Sequence, residues 1–125
     1  MGGDETMEQL LIYVAHPFGG LEENKKKVEE FIRKFNHYEG ITFLSPIHNF
    51  GWRYEETEYE KGIDDCLALL EQCDVVTIPN FETIKNSKGC LIEYGFLKGN
   101  PQIDCVLWEE LDGYLNGYFC EGDAE

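Results

Sequence analysis

The sequence predicts an α/β fold in three layers, α-β-α, built on one parallel sheet of four to five strands. Three observations carry this expectation. Short, continuously apolar runs recur along the chain, as in strands covered on both faces. Between them lie stretches whose apolar residues return every three to four positions, the period of a helix packed on one side. The two kinds alternate as β-α-β-α-β-α-β, and parallel neighbours need such a crossover between them.

The first strand is QLLIYVA, residues 9 to 15. From Leu21 the segment LEENKKKVEEFIRKF sets Leu21, Val28, Phe31, Ile32 and Phe35 on one helical face. ITFLSP, residues 41 to 46, is a second strand ended by its proline, and a loop rich in aromatics and glycine follows it. Tyr59, Ile63, Cys66, Leu67, Leu70 and Cys73 then recur at helical spacing. DVVTIP, 74 to 79, is the third strand and DCVLW, 104 to 108, the fourth. Between them NSKGCLIEYGFLKG, 86 to 99, starts as a helix with Asn86 and Ser87 able to cap it, yet Gly89 and Gly95 bracket a lone acid, Glu93. The closing segment DGYLNGYFC carries Tyr114, Tyr118 and Phe119, more aromatics than a free tail holds, and predicts either contact with a second copy or return to its own sheet. Residues 1 to 125 are expected to form a single domain, with 1 to 8 and 120 to 125 as mobile ends. The order of elements is that of the Rossmann and flavodoxin-like folds.

Twenty-five acids against ten lysines and arginines leave a formal charge of -15, so general nucleic-acid binding is not expected, and a phosphate-bearing ligand would need local donors. No apolar run approaches the ~20 residues of a membrane span. The start, MGGDETMEQL, lacks the basic and apolar regions of a secretory signal. Five cysteines, an odd number without a CxxC pair, fit a reducing cytoplasm better than a disulfide framework. No metal site and no cofactor are expected, because the histidines have no cysteine partner at ligand spacing.

In an open parallel sheet, ligands bind outside the carboxyl ends of the strands. That rule gathers HPFGG, SPIHNFGW and NFETIKNSKG at one mouth. A helical side chain leans toward the helix N-terminus, so Glu93 is expected to lie over the turn of Gly89, whose missing side chain leaves the carboxylate open. Ser87 and the first free N–H groups lie beyond, where an anion is favoured. Gly95 is expected to admit a close neighbour on the far side. The plainer alternative is a solvated surface acid between two packing glycines.

The stretch SKGCLIEYG resembles the signature of the nucleoside 2-deoxyribosyltransferase-like superfamily, which includes deoxynucleoside 5'-monophosphate N-glycosidases and small, often phage-encoded proteins. Ser87, Gly89, Glu93 and Gly95 fit its slots for Ser or Asp, Gly, nucleophilic Glu and Gly. The first loop is similar too: IYVAHPFGG supplies the strand-end tyrosine, Tyr13, and then His16, Pro17, Phe18, Gly19 and Gly20. The resemblance spans roughly residues 11 to 108. Two positions depart from it. His16 stands where glycine is more usual, and Cys66 fills the slot of an aspartate eight residues before Asp74, with Asp65 and Asp64 displaced by one and two.

The resemblance implies cleavage or transfer at the N-glycosidic bond of a nucleoside or nucleoside 5'-monophosphate. Glu93 would be the nucleophile, Asp65 the acid for the leaving base with Asp64 as its substitute, and Tyr13 a holder of the carboxylate or the sugar. Ser87, rather than Asp, favours monophosphates. His16 and His48 are placed to donate to a phosphate or a sugar hydroxyl, or to serve as ordinary loop donors. Phe50, Trp52 and Tyr54 suit stacking on a base, or covering the core or a dimer contact. Relatives complete their sites across subunits, so a homo-oligomer is expected. The alternative is a protein that binds or sequesters a nucleotide in the same pocket without turnover.

Overall fold

The computed structural model of the protein describes residues 9–17, 21–48 and 59–120. Its elements run β1 (Leu10–Val14), α1 (Glu22–Arg33), β2 (Ile41–Leu44), α2 (Tyr59–Leu70), β3 (Val75–Ile78), α3 (Phe81–Ile84), α4 (Lys88–Lys98), β4 (Asp104–Leu107), a 3-10 turn (Trp108–Glu110) and α5 (Leu111–Cys120). The strands form one sheet in the order β2-β1-β3-β4, and every pairing is parallel. This is the expected α/β architecture, flavodoxin-like in strand order.

Alternation along the strands builds two cores. Ile12, Val14, Val75 and Val106 face one way and pack with Val28, Phe31 and Phe35 from α1 and its end, and with Leu111 and Leu115 of α5. Tyr13, Val76 and Ile78 face the other way and pack with Cys66 and Leu70 of α2, Ile84 of α3, and Cys90 and Leu97 of α4. The central strands β1 and β3 are therefore apolar on both sides, which is why they read as unbroken runs. Gly40 turns the chain into β2 at φ 85°, a conformation open to glycine.

Four details depart from the sequence reading. Leu21 is not on the buried face: it takes the N-cap position with extended backbone, before the first turn, and is 52% exposed. The fourth strand ends at Leu107, and Trp108 opens the 3-10 turn. A short additional helix, α3, precedes α4, started by Asn80, whose side chain accepts the Thr83 N–H at 2.7 Å. Gly95 is exposed, and a methyl group there would meet nothing within 4 Å, so no close neighbour explains it.

After β4 the Leu107 N–H donates to the Glu110 carboxylate at 3.2 Å, the capping contact that starts the 3-10 turn. Among the described residues no helix is long and apolar enough to cross a membrane.

Candidate functional site

The chain leaves β1 toward α1 on one face of the sheet and leaves β3 toward α3 and α4 on the other. β1 and β3 are neighbours, so the crevice between their carboxyl ends is the switch point where ligands bind in such sheets. His16 and Pro17 sit half-buried at the end of β1.

The start of α4 lies beside this crevice. Ser87 is its N-cap, with extended backbone, and its hydroxyl accepts the Cys90 N–H at 3.2 Å. That cap leaves the Lys88 and Gly89 N–H groups in the first turn without intrahelical acceptors. Cys90 is buried, which pushes its thiol up to about 12, with the Glu93 charge acting in the same direction and Ser87 against it.

Glu93 follows one turn later and points inward. It is 7% exposed, which removes the reading of a solvated surface acid. The Tyr13 hydroxyl, from a strand 80 residues earlier, donates to its Oε2. The Cys66 thiol, 1% exposed on α2, donates to the same carboxylate and packs in one core cluster with Tyr13. Burial pushes the Glu93 carboxyl up to about 7, against the lowering by these two donors. Tyr13 is held well above its ordinary value by burial and then by the neighbouring Glu93 charge, so it stays a donor.

The structure thus joins Tyr13 and Glu93 and adds Cys66, which the sequence placed on the apolar face of its helix and in the slot of the displaced aspartate without giving it a role of its own. The signal was present in that face. A residue on it must point at the sheet, as Cys66 does, whereas Asp65 is half-buried and Asp64 exposed. Gly89 is half-buried in the first turn of α4.

The two histidines lie on the other face. The His16 ring stacks on Trp108 at 5.2 Å, and Trp108 stacks on Phe31 at 4.1 Å. His16 Nδ1–H donates to the Pro17 carbonyl at 2.7 Å, which leaves Nε2 as an acceptor. Burial pushes His16 below its ordinary value, Lys27 adds to this, and the Pro17 carbonyl opposes it. His48 is exposed, with Nδ1 2.7 Å from the Ser45 hydroxyl. No hydrogen bond joins either histidine to Glu93. Phe18, Gly19, Gly20 and Trp52, with Phe50 and Tyr54, lie outside the described residues.

Among the described residues, Thr77 Oγ1 and Trp108 Nε1 are buried without a hydrogen-bond partner. A separate cavity of about 340 Å³ lies between α4 and β4, lined by Tyr94, Lys98, Ile103, Cys105 and Leu107 among others. Among the described residues no group of three or more His, Cys, Asp or Glu is placed to hold a metal ion. No protein-family model matches the chain, and no curated protein matches it.

Proposed function

We propose that the protein cleaves or transfers at the N-glycosidic bond of a nucleoside or nucleoside 5'-monophosphate, with Glu93 as nucleophile, as the resemblance to the nucleoside 2-deoxyribosyltransferase-like superfamily implies. One observation carries the reading: the Tyr13 hydroxyl and the Glu93 carboxylate, two residues that the resemblance selects independently, meet in the core beside the switch point. A buried carboxylate with no lysine, arginine or histidine hydrogen-bonded to it among the described residues suits a reaction that develops positive charge. In low dielectric its attraction for an oxocarbenium-like sugar exceeds what a solvated acid offers.

In this mechanism a Glu93 oxygen attacks the anomeric carbon as the bond to the base nitrogen breaks. The base leaves with a proton from Asp65, the acid that the resemblance offers on α2, with Asp64 beside it. The glycosyl ester then passes to water or to a second base. Tyr13 steadies the carboxylate. Ser87, Gly89 and the free N–H groups of α4 suit the 5'-phosphate, while His16, Pro17, Phe18, Gly19, Gly20, His48 and Trp52 are assigned to the sugar and base.

The near-complete burial of Glu93, together with Cys66 where an aspartate is usual, supports a second reading in which the same pocket binds a nucleotide without turnover. Glu93→Gln separates the two. An enzyme keeps ligand binding and loses base release by orders of magnitude, because the nucleophile acts in the transition state. A binder shows no base release in the wild type and a change of affinity only. Chromatography of a nucleoside and nucleotide panel reads both, and wild-type base release that survives Glu93→Gln unchanged defeats both readings.

A further inference from the structure

We propose that Cys66 is a positioning residue for Glu93: its thiol from α2 and the Tyr13 hydroxyl from β1 close on one carboxylate and hold it in a single orientation. For catalysis the inference rests on the N-glycosidase reading, but its structural content does not.

Cys66 is 1% exposed and sits in the core formed by Tyr13, Leu70, Val76 and Cys90, so its thiol has no solvent to bond to. It reaches both members of the pair, packing with Tyr13 in that core and donating to the Glu93 carboxylate. Three elements therefore converge on one acid: β1 with Tyr13, α2 with Cys66, and α4 with Glu93 itself. The titratable groups that face the carboxylate among the described residues are Tyr13, Cys66 and, one turn back on its own helix, Cys90.

Each bond to a carboxylate from a donor without charge favours the ionised form and limits the rotamers of the side chain. A thiol does this without adding a negative charge. An aspartate in the same place sets a second carboxyl against the first, and like charges in one site raise the pKa of one of them. The displaced acids at Asp64 and Asp65 keep that charge out of the core, since one is exposed and the other only half-buried. Cys66 also acts at a fixed point on α2, so it ties the register of α2 against α4 to the orientation of the reactive oxygen.

The test is the titration of Glu93, followed by NMR of labelled glutamate carboxyls, with Glu93→Gln identifying the signal. In the wild type the group titrates near 7. Cys66→Ser retains a donor and keeps that midpoint, whereas Cys66→Ala removes it and raises the midpoint by about half a unit to one unit, the size of one net hydrogen bond. Should Cys66→Ala fail to fold, Cys66→Val, which is apolar and fills more of the space, repeats the measurement. A midpoint equal to wild type in the apolar variants, or a serine variant that moves as far as they do, overturns the assignment. Where base release is present, the acid limb of kcat/KM moves with the midpoint. A wild type that releases no base while its titration shifts as described sinks the N-glycosidase reading and leaves the role of Cys66 standing.

Discussion

Glu93 links ionisation to stability through one side chain. Its carboxyl titrates at about 7 in the fold against 4.5 when exposed, so the folded state prefers the protonated form. Below 4.5 both states carry the proton and nothing is lost. Between 4.5 and 7 the unfolded chain releases it while the fold keeps it, so stability falls with rising pH, and above 7 the full penalty of roughly 3 kcal/mol is present. Glu93→Gln cannot ionise. It is expected to be more stable than the wild type by up to that amount at pH 8, an advantage that fades near pH 4 to 5, read by urea denaturation at both ends. This pair of residues was half legible in the sequence: Tyr13 and Glu93 stood out by type and position. Cys66 was marked only by its place, on the apolar face of α2 and in the slot of the displaced aspartate, because a thiol carries no charge to point to a role beside Glu93.

The two ends of α4 show what spacing can and cannot reveal about an element. Its start was legible, since Ser87 is a preferred cap, and the structure gives that hydroxyl the Cys90 N–H. Ser87→Ala is expected to lower stability by about 1 kcal/mol in chemical denaturation. If the phosphate lies at this helix start, titration with a nucleoside and its monophosphate also shows a smaller preference for the monophosphate in that variant. Gly95 was misread as a packing device. It is exposed with open space around it, so Gly95→Ala is expected to raise stability by about 0.5 to 1 kcal/mol through helix propensity, measured by thermal unfolding. The helix α3 escaped notice because four residues are too few to show a period of 3.6, and Asn80 in a loop reads equally as a turn.

Across the whole molecule, the alternation of buried runs and helical patterns made the sheet legible before its order was known. The order β2-β1-β3-β4 was not legible, because each strand looks alike to sequence and the pairing is decided by long-range packing. The closing segment resolves in the same way. Leu111 and Leu115 are fully buried and bring α5 back onto the sheet, and the Tyr114 hydroxyl donates to Asp104 at 2.8 Å. Tyr118 remains 52% exposed, as do Phe81 at 52% and Leu91 at 46% on α3 and α4. Exposed apolar groups on so acidic a chain are the basis for expecting assembly. Light scattering at micromolar concentration is expected to give a multiple of 14.4 kDa, and a particle of 14.4 kDa removes the assembly from the reading.

The stack of Phe31, Trp108 and His16 has an optical consequence. An indole in contact with an imidazole senses that ring, because the protonated form quenches emission far more strongly than the neutral one. Burial holds His16 below its ordinary value, which favours the neutral ring beside Trp108. His16 also sits half-buried at the end of β1. The chain has two tryptophans, so replacing Trp52 with phenylalanine leaves Trp108 as a single built-in lamp beside His16, one expected to dim as acid charges that ring.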